Sequence, residues 1–211
     1  MKQLFDRRSL APRPLAERRN KIDFARTQID PKTYVPQLTD DACETVRQLA
    51  CEIRAARDCG ASVVMAFGAH SIKNGLAPVL TGLMQDGWIT HFATNGAGVI
   101  HDWEFAFQGF SGEDVQRYVA EGQFGLWEET GLYLNLALTV GAYEGRGYGE
   151  AVGAFITDEG LTIPAPSDLD AAIAAGAAAD ADEVTLARAA AAADLKAIMR
   201  HIPADPGFLH V

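Results

Sequence analysis

The chain has 211 residues, 48% hydrophobic and 22% charged, with a formal net charge of −10. That composition suits a globular protein with a real core, one domain or one and a half by length. It argues against a partner held by its phosphate backbone, which needs Lys and Arg. No segment approaches the roughly 18 consecutive apolar residues of a membrane span. The opening Met-Lys-Gln-Leu-Phe-Asp-Arg-Arg lacks the apolar stretch of a secretory signal, so the expected location is the cytoplasm.

Charge is distributed unevenly. Residues 1–34 carry nine of the 18 Lys and Arg but only four of the 28 Asp and Glu. With Pro12, Pro14, Pro31 and Pro36 and little periodicity, residues 1–38 are expected to form a basic arm with at most short helices. Its cations (Arg7, Arg8, Arg13, Arg18, Arg19, Lys21) should lie on the acidic body of the same or a neighbouring subunit, with RNA contact as the alternative.

From Asp40 the texture becomes helical. Asp41 and Glu44 resemble a capping box, and Val46, Leu49, Ala50 and Ile53 recur at helical spacing. Gly60 should stop this helix after Cys59. Cys43, Cys51 and Cys59 then lie about 12 Å apart on one rod, too far for disulfides and without zinc spacing. They are expected to be half-buried thiols.

Next comes Ala61–Phe67, an apolar run that suits a strand covered on both faces. A loop at Gly68–Gly75 leads to a helix whose first turn must hold Pro78. A second strand, Trp88–Ala93, begins 27 residues after the first, a separation that fits one βαβ crossover. It runs into Thr94-Asn-Gly-Ala-Gly-Val-Ile100 and a short helix bearing His101, Asp102 and Glu104. Ser111 and Asp114 should cap another helix. A helical, glycine-interrupted stretch follows from Glu128 to Phe155. In the alanine-rich end, Ser167 and Asp170 should open one helix, with a longer one from about Asp182.

Both glycine-bearing loops follow a strand and precede a helix, where ligands of parallel sheets sit. Free amides and the dipole at a helix start suit phosphate or carboxylate, and Gly96 and Gly98 let backbone approach a ligand. Lys73 and Asn74 are phosphate-partner candidates. The third glycine of G-x-G-x-x-G is missing, as is the later acidic residue. His91, placed mid-strand, reads as a hydrogen-bonded core residue. His101, Asp102 and Glu104 can supply acid–base groups or anchor polar ligand atoms.

The stretches Gly-Ala-His-Ser-Ile-Lys-Asn-Gly (68–75) and Trp-Ile-Thr-His-Phe-Ala-Thr-Asn-Gly-Ala-Gly-Val-Ile-His-Asp (88–102) resemble the deoxyhypusine synthase-like family. The lead-in at Pro14–Lys21 and the run Glu113–Gly131 resemble its bacterial homologues more than the synthase itself. The resemblance covers roughly residues 14–155 and is most specific over 63–131. It implies an α/β fold with a Rossmann-like parallel sheet and flanking helices over residues 39–158. Before it would lie the arm of residues 1–38, and after it a helical alanine-rich segment, 159–211.

The resemblance also implies NAD as cofactor and homo-oligomers, tetramer or dimer, with sites between subunits. The synthase transfers an aminobutyl group from spermidine to a protein lysine. By position, NAD would touch Ala69 and His70, then Thr94, Asn95, Gly96 and Ala97, with His101 at what the family has as an acidic contact and Asp102 as the last acidic residue. Ile100 and His101 replace the family's paired acidic residues. The family's further strands, second glycine loop and imine-forming lysine find no match, so a shortened relative or a fragment is expected. Three readings follow: an NAD-dependent enzyme acting on a polyamine or amine, a nucleotide-binding or regulatory module without chemistry, and metal-dependent hydrolysis by His70, His101 and Asp102.

Overall fold

A computed structural model describes residues 9–200. The protein is helix-dominated α/β, 60% helical, and its contacts divide it into two compact units. One is residues 20–112. The other joins the N-terminal segment up to Arg19 to residues from Glu113 onward.

The unit of residues 20–112 holds β1 (Ile22–Asp23), α1 (Phe24–Thr27), α2 (Asp40–Asp58), β2 (Val64–Ala66), α3 (Ala69–Lys73), α4 (Ala77–Gln85), β3 (His91–Ala93), α5 (Gly96–Gln108) and β4 (Phe110–Ser111). Strands β2 and β3 pair in parallel, Val64 opposite His91 and Ala66 opposite Ala93. The expected βαβ unit is therefore present, reduced to two strands of three residues. At the amino ends of these strands Thr90 closes the ladder: its hydroxyl donates to the Val63 carbonyl (3.0 Å) and accepts from the Val63 N–H (2.9 Å). Strands β1 and β4 pair antiparallel, Ile22 opposite Ser111.

The expectation of a strand covered on both faces is corrected here. Val64 is 60% exposed, and Ala66, His91 and Ala93 are exposed with it. Met65, Phe67 and Phe92 turn the other way, onto a cluster around Ile72, Leu80 and Phe105. One face is thus packed and the other is wet. His91 accordingly stands on the open face rather than in a core.

Helix α2 is as long as its periodicity indicates, yet none of its residues is buried. Its cap is Thr39, whose hydroxyl accepts from the Ala42 N–H (3.3 Å), rather than Asp41. Asp40 and Asp41 occupy the first turn, where negative charge meets the positive dipole end. An apolar cleft of about 510 Å³, lined by Leu49, Ile53, Val63, Leu83, Trp88 and Ile89 among others, lies between α2 and the amino ends of the strands. The half-buried thiols expected on this rod reduce to one, Cys43, since Cys51 and Cys59 are exposed.

The second unit contains a 3₁₀ turn at Leu15–Glu17, then α6 (Val115–Ala120), α7 (Glu128–Glu144), α8 (Tyr148–Thr157), α9 (Pro166–Gly176) and α10 (Glu183–Met199). Leu136, Val140, Leu169, Ala192 and Leu195, each at most 3% exposed, form its core. Small alanines on α9 and α10 let these helices approach closely, and Leu169 and Leu195 fill the space between them. Fully burying such a leucine contributes about 1.5–3 kcal/mol. Asp182 caps α10, accepting from the Thr185 N–H (2.8 Å). Helix α9 starts at Pro166 after Ala165, without a side-chain cap, so Ser167 does not open it.

The basic arm is partly structured. Arg13 bridges to Trp127, Leu15 is 1% exposed, and its N–H donates to the Glu129 carboxylate (2.5 Å). Arg13 faces Glu121 at 3.6 Å, and Arg18 lies 5.6 Å over the Trp127 ring. Arg13 thus meets a carboxylate of its own chain, and Arg18 an aromatic ring. Arg7 and Arg8 lie outside the described residues, as does the end of the alanine-rich segment after Arg200. No helix among the described residues is long and apolar enough to cross a membrane.

Candidate functional site

Parallel pairing of β2 and β3 puts the turns that follow them side by side. The Phe67 N–H donates to the Ala93 carbonyl (3.0 Å), extending the ladder to the start of both turns. A Cβ placed on Gly68 would sit 3.9 Å from Nδ2 of Asn95. The two turns therefore open at one rim, at the carboxyl ends of the strands. The apolar cleft under α2 lies at the opposite ends.

The first turn is shorter than its sequence implies, because residues 69–73 coil into α3. Ala69 and Lys73 are half-buried there and His70 is exposed. Gly75 closes the segment at φ 80°, and a Cβ there would overlap the Thr27 carbonyl. The Ile29 N–H donates to the Gly75 carbonyl (2.9 Å), so residues 27–29 lie directly across this turn.

The second turn is also more helical than expected. Helix α5 begins at Gly96, capped by Asn95, whose Oδ1 accepts from the Gly98 N–H (3.1 Å). Gly98 is buried, and a Cβ on it would meet the Thr94 hydroxyl at 2.5 Å. Thr94, Asn95, Gly96 and Ala97 are all exposed. The amides of Gly96 and Ala97 have no acceptor within the helix by position, and neither residue puts a long side chain over them. Exposed backbone of this kind can accept an anionic oxygen.

One turn further along α5, a hydrogen-bonded trio is built into the unit. Ser111 Oγ donates to Glu104 Oε2 (2.5 Å), and His101 Nδ1 lies 2.7 Å from the same Oγ. Glu104 and Ser111 are 1% and 0% exposed. His101 and Glu104 share a helical face, a spacing visible in the sequence. The role of Ser111 was not visible, because it arrives through the β4 pairing. It bonds these side chains instead of capping α6, whose cap is Asp114, accepting from the Arg117 N–H (2.9 Å). Asp102, beside His101, has its carboxyl pushed above the usual aspartate range by desolvation. The residue is nevertheless exposed, so surrounding water limits that effect.

The rim brings together Gly68, Thr94, Asn95, Gly96, Ala97 and Gly98, and α3 packs against α5 to hold Ala69, His70 and Lys73 beside it. His70, Lys73 and Asp102 make no side-chain hydrogen bond to the described residues. No three His, Cys, Asp or Glu side chains among the described residues are grouped to hold a metal ion. Hydrolysis through a metal on His70, His101 and Asp102 thus has no geometric support.

Within Glu113–Gly131 the polar side chains serve the fold. Glu113 accepts from the Trp127 indole N–H (2.9 Å) and the Gly125 N–H (3.1 Å), and Tyr118 packs edge-on against Trp127 with ring centroids 5.0 Å apart.

Comparison with protein-family models, curated proteins and solved structures finds no match to this chain.

Proposed function

We propose that this protein is a deoxyhypusine synthase-like nucleotide-binding protein that takes NAD, or a related dinucleotide, at the rim formed by residues 68–75 and 94–101. The observation that carries this reading is the side-by-side opening of two strand-to-helix turns with exposed first-turn amides on α5. Gly96 and Ala97 would hold the pyrophosphate. His70 and Lys73 would flank it, and Thr94, Asn95, His101 and Asp102 would contact the remaining polar atoms. Bound NAD would supply a hydride acceptor, and the substrate class is an amine or polyamine. In the full reading the sheet is Rossmann-like and completed by other strands, in a cytoplasmic homo-oligomer.

A second reading, nucleotide binding without chemistry, is favoured by a different observation. Among the described residues the parallel sheet stops at two strands, and residues 113–200 add only helices after it. One titration series separates the readings. NAD at 100 times its Kd is expected to stabilise the fold by about 2.7 kcal/mol, seen as a rise in Tm. Spermidine-dependent reduction of that NAD would select the enzyme, and its absence the binding module. No Tm response to NAD overturns both.

A further inference from the structure

The trio built around α5 has a directionality that hydrogen counting fixes once Glu104 is ionised. A serine hydroxyl carries one hydrogen, and an ionised carboxylate only accepts. With Glu104 ionised, the hydrogen bond between Ser111 Oγ and Glu104 Oε2 takes the Ser111 hydrogen, because the carboxylate has none to give. The Ser111 oxygen is left as an acceptor, 2.7 Å from His101 Nδ1. The nitrogen must bring the hydrogen. Direct contact is no substitute, because His101 Nδ1 lies 3.7 Å from the carboxylate, beyond hydrogen-bond range.

We infer that Ser111 and Glu104 are positioning residues that hold His101 as its Nδ1–H tautomer, leaving Nε2 as an acceptor for a hydroxyl donor of the bound nucleotide. Which nitrogen of an imidazole carries the hydrogen is set by the bond its other nitrogen makes, and buried partners of this kind orient ring and tautomer together. The support is rigid: Glu104 and Ser111 are buried, while His101 keeps 20% of its side chain exposed. A histidine in this state offers a lone pair to a hydroxyl donor. It does so without carrying a negative charge. The ligand half of this inference rests on the nucleotide reading above; the tautomer half does not.

Long-range ¹H–¹⁵N correlation on the ¹⁵N-labelled full chain reads the tautomer directly, with His101→Gln assigning the ring. The neutral His101 ring is expected to show Nδ1–H. Ser111→Ala is expected to move it toward Nε2–H, while Asp102→Asn on the same helix leaves it unchanged. Nε2–H in the unsubstituted protein overturns the inference, and this outcome needs no variant to fold. In the ligand arm, Ser111→Ala should weaken NAD binding about three- to tenfold, the worth of one ordinary hydrogen bond. Nδ1–H without any NAD binding would sink the nucleotide reading and leave the positioning intact. NAD binding unaffected by Ser111→Ala would overturn the assigned role of Nε2.

Discussion

The two units cover their long helices to different degrees. Residues 113–200 enclose a core in which Leu169 and Leu195 are at 0% exposure. In residues 20–112 an equally well-patterned helix, α2, leaves Val46 and Leu49 more than half exposed, and the parallel sheet is wet on one face. Helices can satisfy their backbone alone and need only a neighbouring stripe. A parallel sheet is ordinarily covered on both faces, and a two-stranded pair is marginal by itself. Among the described residues the helical unit thus encloses a core of its own, whereas the sheet-bearing unit keeps an open rim and an open face.

The largest expected effect tests that contrast directly. Leu195→Ala should cost about 2–5 kcal/mol by removing fully buried volume, and Leu49→Ala less than about 1 kcal/mol because half of its surface is already in water. Denaturant unfolding monitored by circular dichroism gives both numbers. Equal losses would mean that α2 is covered in solution and would break the comparison.

Gly75→Ala sharpens it. The left-handed backbone and the overlap with the Thr27 carbonyl predict a loss of about 1–3 kcal/mol, read from the same unfolding curves. A loss near zero would show that residues 27–29 do not lie across the first turn.

The smallest effect is electrostatic. Desolvation raises the folded-state pKa of Asp102 above its ordinary value of 3.8. The folded protein then holds the proton more tightly than the unfolded chain, so stability declines as pH rises from about 3.8 through the raised value. Asp102→Asn should therefore increase Tm slightly at neutral pH and leave it unchanged well below pH 3.8. A decrease at neutral pH would mean that the carboxylate has a stabilising partner.

Much of the helical framework was legible because its signals are local. Pro78 fixed the first turn of α4, Gly60 the end of α2, and Asp182 the start of α10. The parallel pairing was legible from two apolar runs at crossover spacing. What escaped depends on tertiary packing. Apolar continuity in Ala61–Phe67 cannot reveal whether a second layer exists to cover it. Short turns such as 69–73 coil into helix when packed against α5, although glycines at both ends read as loop. At the rim, the glycines and Asn95 were readable as backbone features, while Ser111 sits beside His101 in a strand paired with Ile22, 89 positions earlier in sequence. Hydroxyls are common cap residues, so a local rule claimed Ser111 for the wrong helix.

The antiparallel pairing of Ile22–Asp23 with Phe110–Ser111, reinforced by the Lys21 N–H donating to the Gly112 carbonyl at 2.7 Å, brings the entrance and exit of residues 20–112 together. A segment whose ends already touch behaves as a cassette. It can be replaced by a tight turn, or lifted out and joined end to end, without stretching the backbone on either side.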